Sequence, residues 1–318
     1  MEDTVYKPFK TIEDQVTLLE SRGVECGRGT DATLLREGYY SVINGYKDPF
    51  LDAGATIAAG DDRYIPGTRF EDILHLFDFD RRLRLATFGA LTLAEAALRT
   101  TCAYCFSEMH QNEPNAYLNP RNLHQPPKAR KDIVGPMIGQ MRKIIDNGGK
   151  DPEHGGKGYL HHCLADHGGE VPLWVLTNDM TIGQVTNFYR VMGSEARGAV
   201  ARQFESLYAS SHRKKRRITS GKLDSVYSRV KNFRNICAHD ERLYCARPFG
   251  DNNSFAQLAT DLELLLTKQR HREFLQRVES LMLGLERDLP GHAGQIFSAM
   301  GVVSIDRHQK YMDSIRDN

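Results

Sequence analysis

The sequence predicts an all-α protein, and three observations carry that reading. Apolar residues recur at three- and four-residue steps, the spacing that lines one face of an α-helix. The longest such stretch includes Phe70, Ile73, Leu74, Phe77, Leu83, Leu85, Phe88, Leu91, Leu93 and Leu98. Several stretches open on Thr with an acid or amide three residues later, the mark of a reciprocal N-terminal cap: Thr11-Ile-Glu-Asp14, Thr68-Arg-Phe-Glu71 and Thr181-Ile-Gly-Gln184. Clusters of Gly, Pro, Asn and Asp, which end helices, separate them.

In chain order, the first cap predicts a short helix to about Ser21, with Val16, Leu18 and Leu19 facing a partner. A second helix is expected over residues 31–44, with Leu34, Leu35, Tyr39, Val42 and Ile43 inward and Gly45 as its stop. Residues 46–66 read as a small hairpin. The second cap opens the long helix, ending near His110, whose Arg81, Arg82, Arg84 and Arg99 are expected to meet phosphates or, more commonly for such residues, to form a solvated face or pair with acids such as Asp78, Asp80 and Glu95. Residues 111–170 are rich in Asn, Pro, Gly and His around one helix over 131–145, and read as a substrate-facing region. Trp174, the single Trp, is expected as a core anchor. Helices follow over 181–191, over 194–207 with Ser194 as cap, through the stretch holding Leu223, Val226, Val230 and Phe233, and near 254–267, 270–287 and 292–300, before a polar tail.

Composition excludes several classes. A chain of 318 residues with 40% apolar and 26% charged content suits a globular protein with a sizeable core. No apolar run approaches the roughly eighteen residues of a membrane span, and the opening Met1-Glu2-Asp3 is acidic. The expectation is a cytoplasmic protein without signal peptide or membrane segment. Six Cys at irregular spacing do not form a disulfide framework. Cys102-Ala-Tyr-Cys105 and the distant His161-His162-Cys163 lack zinc-site spacing and read as buried thiols and exposed His, so no metal or cofactor is expected. Gly155-Gly-Lys-Gly158 lacks the ending of a phosphate-binding loop. With a net charge of only +1, local charge must carry any nucleic-acid argument.

The densest grouping of reactive residues is Arg234-Asn235-Ile-Cys-Ala-His239. Asn235 and His239 are one helical turn apart and share a face; Arg234 lies about 100° round from Asn235. A His passes protons near neutral pH. An Arg offers a fork of donors that fits a phosphate. Together they are parts for cleaving RNA without metal: a base removes the 2′-OH proton, that oxygen attacks phosphorus, and a cation stabilises the crowded phosphate. On spacing alone they equally fit surface or capping residues near a helix C-terminus, where cations are favoured. Two other Arg–His pairs occur: Arg69/His75 lacks the adjacent amide, and Arg287/His292 straddles Pro290-Gly291. Just before the motif helix lies the run Arg213-Lys214-Lys215-Arg216-Arg217, expected as a rail for an RNA backbone or, failing that, a solvated loop.

The segment from Arg234 to Tyr244 resembles the signature of the Abi family of abortive-infection (phage-resistance) proteins, most of all its AbiD/AbiF-like members, within the HEPN superfamily of helical ribonucleases. Further likeness lies in Lys7–Gln15, Leu35–Tyr46, Phe79–Arg84, Ala94–Arg99 and Pro172–Leu176, so the resemblance covers residues 7 to about 250. It implies a HEPN-type helical bundle (67–250) between a mainly helical N-terminal extension (1–66) and C-terminal helices (251–318). It implies a metal-independent endoribonuclease in which Arg234 contacts phosphate and transition state, Asn235 orients and His239 transfers protons. The site would be composite, shared between the two chains of a homodimer, with Ile236 and Leu243 beside the motif as candidates for the dimer contact or, equally, for the core. The resemblance also implies control by a cognate structured small RNA, as in toxin–antitoxin systems. The second reading is an RNA-binding or protein-interaction module that does not cut.

Overall fold

Forty residues, Phe70–Met109, form one unbroken helix (α4), about 60 Å long at 1.5 Å per residue. Its buried residues Phe70, Ile73, Phe77, Asp80, Arg84, Thr87, Leu91, Ala94, Leu98, Thr101 and Cys105 alternate steps of three and four. That seven-residue period keeps one seam turned toward its neighbours over the whole length. Asp80 and Arg84 are its only charged members. The computed structural model describes residues 8–126, 129, 131–248, 250–302 and 304–317, apart from the side chains of 307, 312 and 314–317. Met1-Glu2-Asp3, Lys7 at the start of the N-terminal likeness, and Pro127, Lys128 and Arg130 of the 111–170 region lie outside the described residues.

Among the described residues the chain is helical, with isolated bridges and no strand. Helix α1 (Ile12–Ser21) opens on the expected reciprocal cap: Thr11 Oγ1 accepts from the Asp14 amide at 3.1 Å and the Asp14 carboxylate accepts from the Thr11 amide at 3.0 Å. The single helix expected over 31–44 divides. Helix α2 (Thr30–Glu37) stops at Gly38, whose φ of +83° takes the chain out of the helix, and a π-helical turn follows at Tyr40–Asn44. Leu34, Val42 and Ile43 are buried, whereas Leu35 is exposed. In place of a hairpin, residues 46–66 form helix α3 (Ala53–Ala59), capped by Asp52 and bracketed by one bridge between Leu51 and Tyr64. Thr68 does not cap α4; its hydroxyl donates to the Ile65 carbonyl, and the Arg69 amide takes the Asp72 carboxylate instead.

Beyond α4 come α5 (Val134–Gly148), three residues later than expected, and α6 (Gly158–Asp166), which the Gly- and His-rich composition hid. The short turn α7 (Leu173–Leu176) buries Leu173 and Leu176, three apart. Trp174 between them therefore projects outward and is 59% exposed, the opposite of a core anchor. Helices α8 (Ile182–Val191), α9 (Ser194–Ser211), preceded by Gly193 with no side-chain cap, and α10 (Ser220–Ala238) follow. Then come α11 (Phe255–Leu262), α12 (Lys268–Asp288), α13 (Ala293–Met300) and α14 (Ile305–Asp317), the last replacing the expected polar tail. Helices α7, α8, α9, α10 and α12 all pack on α4, and one continuous apolar core links them. No helix among the described residues is long and apolar enough to cross a membrane.

Candidate active site

Helix α10 carries the motif because its sequence gives it a cap, a stripe and a stop. The Thr219 hydroxyl accepts from the Lys222 amide at 3.1 Å. Leu223, Val226, Tyr227, Val230, Phe233 and Ile236 are buried. Tyr227 adds a hydroxyl bond to the Leu98 carbonyl of α4 at 3.0 Å. At the C-terminus the Glu241 amide reaches back to the Ile236 carbonyl at 3.0 Å, and Asp240 takes φ +56°. This is the Schellman stop, with an Asp where Gly usually stands. Asp enters this left-handed region more readily than most residues, but the negative end of the helix disfavours an acid there. Arg84 Nη2 offsets that charge at 2.5 Å from Asp240 Oδ1.

His239 is the C-cap residue of that stop, exposed, its amide bonded to the Asn235 carbonyl at 2.9 Å. Asn235 is also exposed. Arg234 is half-buried and lies back on α4: its Nε is 3.6 Å from Glu95 Oε2 and its guanidinium carbon is 5.9 Å from the Phe88 ring centroid. Glu95 is shared, since Arg99 Nη2 donates to it at 2.8 Å. Arg81, Arg84, Leu85, Phe88 and Glu95 recur at helical spacing on one side of α4, and the end of α10 meets that side through Arg84–Asp240 and Arg234–Phe88. Burial pushes the Cys237 thiol up to about 12, so the Cys inside the motif is an inert side chain rather than a nucleophile.

The turn after the motif is held from beneath. Asp80 accepts from the Leu243 amide (3.0 Å), the Tyr244 amide (2.7 Å), the Tyr46 hydroxyl (2.8 Å) and Arg84 Nη1 (2.7 Å). Burial raises the Asp80 carboxyl above its usual range, and these donors pull against that rise. Arg242 fastens the same turn from outside, donating to the Gly45 carbonyl at 3.0 Å and to Asp48 at 3.1 Å. The sequence alone does not single out Asp80, Arg84, Tyr46 or Glu95 as site supports; its signals are the charged pair Asp80 and Arg84 at two seam positions of an apolar helix, and the family likeness of Leu35–Tyr46, Phe79–Arg84 and Ala94–Arg99, which contains all four. Ile236 and Leu243, candidates for a dimer contact, are core residues, 9% and 0% exposed.

The basic run does not adjoin the motif. It joins α9 to α10, and the motif closes α10, so from Ser220 to His239 they are separated by about 28 Å of helix. Arg216 donates to the buried Glu263 at 2.8 Å, and Arg217 Nε is 3.5 Å from Glu205. Arg213, Lys214 and Lys215 are exposed. Cys102 and Cys105 are buried, the thiol of Cys105 pushed up to about 11. Among the described residues no group of three or more His, Cys, Asp or Glu is placed to hold a metal ion.

A family model described as Abi-like protein matches residues 32–245. The chain belongs to the Abi-like family. The match begins within α2 and ends one residue past the Asp80-held Tyr244, so it contains Tyr46, Asp80, Arg84, Glu95 and the whole motif. Lys7–Gln15, part of the sequence likeness, precedes it. Abi-like membership carries a role in abortive infection. No curated protein and no solved structure matches the chain.

Proposed function

We propose that this Abi-like protein is a cytoplasmic endoribonuclease of the HEPN type, acting in abortive infection or a toxin–antitoxin setting. The observation that carries the reading is the delivery of Arg234, Asn235 and His239 to one solvent-facing helix end whose stop is locked by Arg84 and Asp80. In the reaction, an imidazole nitrogen of His239 takes the ribose 2′-OH proton, and the 2′-oxygen bonds to phosphorus. The bond to the 5′-oxygen breaks, leaving a 2′,3′-cyclic phosphate and a 5′-hydroxyl. Arg234 neutralises the phosphate, Asn235 orients the pair, and no metal takes part.

One copy offers one His, whereas the leaving oxygen needs a proton from the opposite side of phosphorus. The second Arg–His set comes from a second copy related by a twofold axis. Leu85, 70% exposed on the α4 side that meets the motif, supports such a contact by offering it an uncovered apolar side chain. Restraint by a cognate structured small RNA belongs to the same reading. The test is purified protein with total RNA in EDTA, followed by end mapping. Cyclic-phosphate and 5′-hydroxyl ends are expected. Bound but intact RNA would leave a non-cutting RNA-binding module, and a chemical requirement for Mg²⁺ would overturn the mechanism.

A further inference from the structure

Trp174 is the only Trp in the chain and is 59% exposed. It does not stand on a flat surface. It borders a cleft of about 150 Å³ whose lining includes Phe106, His110, Asn115, Glu170 and Trp174. That volume is below the roughly 300 Å³ at which drug-sized pockets begin and suits a single ring system. The floor is aromatic: the Phe106 ring is buried and lies 4.5 Å from the His110 ring. The walls are fixed by directed bonds. Asn115 Oδ1 accepts from the Val171 amide at 3.0 Å, its Nδ2 donates to the Gly169 carbonyl at 3.4 Å, and the Tyr117 hydroxyl donates to the Val171 carbonyl at 2.6 Å. Asn115 itself holds φ +49°, a conformation Asn tolerates better than most residues. The strand of chain that delivers Trp174 is therefore held at the cleft before any ligand arrives.

An exposed indole beside a preformed slot, with polar groups at its rim, matches the way unpaired bases are gripped. The π-face stacks, and the imidazole and carboxylate groups of the rim, His110 and Glu170, meet the base edge. The slot also lies along the candidate active site's own helix. Glu95, Arg99 and Phe106 share one side of α4 by their spacing, and Phe106 is about 16 Å beyond Glu95, the carboxylate that Arg234 faces at 3.6 Å. We propose that this cleft binds one unpaired nucleobase of a single-stranded nucleic acid, stacked on Trp174. The inference rests on the reading of the protein as an RNA enzyme and adds how it holds the strand away from the cut.

The sole Trp makes its own reporter. The full-length protein is titrated with a short single-stranded deoxyoligonucleotide, which carries bases but no 2′-OH and so cannot be cut. Indole emission is read together with anisotropy of a labelled strand. Saturable quenching is expected, with none from inorganic polyphosphate, which has charge but no base. Trp174→Ala should weaken binding about 5- to 150-fold, the effect of removing one stacked base, and Trp174→Phe should restore most of it. Binding seen by anisotropy without any change in emission would overturn the proposal. So would emission that follows protein concentration and ignores the oligonucleotide, since Trp174 would then be a contact between copies. Quenching intact in a protein that cuts no RNA would fail the nuclease reading while leaving the base site standing.

Discussion

Replacing Asp80 by Ala should loosen the turn after the motif before it unfolds the chain. The carboxylate is fully buried, and so are the groups it serves: Leu243 is 0% and Tyr244 3% exposed. Removing it strands two backbone amides, each worth about 1–3 kcal/mol when buried without a partner. It also leaves Arg84 with Asp240 as its one carboxylate partner, beside the Tyr46 hydroxyl at 2.8 Å. Breaking a buried charge pair by deleting one partner costs about 3–5 kcal/mol, and the two effects overlap rather than add. With a urea slope of about 3 kcal/mol per molar, that cost moves the midpoint down by about 1–1.7 M. Urea titration by circular dichroism reads the global figure, and amide hydrogen exchange at Leu243 and Tyr244 reads the local opening. Exchange there should accelerate more than at core amides of α4. Asp80→Ala with Arg84→Met should recover part of the stability, because both charges then leave together. A destabilisation under about 1 kcal/mol, or unchanged protection at both amides, would refute the claim that Asp80 holds this turn.

His239→Ala and Arg234→Ala should each abolish RNA cleavage while unfolding midpoints move little for the exposed His239, within about 0.5 kcal/mol; undiminished cutting by either folded variant would reject the site. In binding titrations against salt, changing Arg213, Lys214 and Lys215 to Gln should flatten the slope of log affinity by about 0.7 for each phosphate no longer neutralised on single-stranded RNA. Arg216→Gln should instead lower stability, since its partner Glu263 is buried, and an equal slope change from Arg216 alone would contradict that division. Burial pushes the His271 imidazole down from 6.5 to about 4, against the Ala259 carbonyl and the Glu263 charge. A depressed folded value means the unfolded chain takes the proton first, so this contribution is complete above about pH 6.5 and declines as pH falls toward 4. The decline is about 2 kcal/mol by pH 5 and levels off at about 3 kcal/mol below pH 4, where the folded imidazole is protonated too. Urea midpoints at pH 7.5 and 5 should differ in the wild type, and His271→Leu should narrow the difference.

Elements whose causes are local are legible in the sequence. Helices α1 and α8 announce themselves by reciprocal caps, and α4, α10 and α12 by long apolar periodicity. The motif's place at a helix end follows from the same spacing. What the sequence hides depends on partners far along the chain or on the absence of any. Asp80 meets Tyr244 across 164 residues, and nothing within a helical window shows that pairing. Leu85 fits the apolar spacing of α4 as well as Leu83 does, yet only the packing of neighbouring helices decides that one is 70% exposed and the other 0%. Trp174 misleads because hydrophobicity argues for burial, while the three-residue spacing of Leu173 and Leu176 fixes the buried side of a turn too short to have two. The basic run is adjacent to the motif helix in sequence and remote from the motif in space, because a straight helix carries its two ends apart.

The charged pair in the seam of α4 also limits how the molecule can move. Helices with uniform apolar seams can ratchet past their neighbours by one turn, about 5.4 Å, and find similar partners. Here such a step would carry Asp80 off the Leu243 and Tyr244 amides and leave a carboxylate in an apolar wall. The seam is keyed at one position, as a polar residue keys the register of a coiled coil. Sliding is thereby closed as a route for switching the motif on or off. Under the proposed reading, an activating signal would work through pieces that can detach singly: the Arg242 fastening on Gly45 and Asp48, or the meeting of two copies.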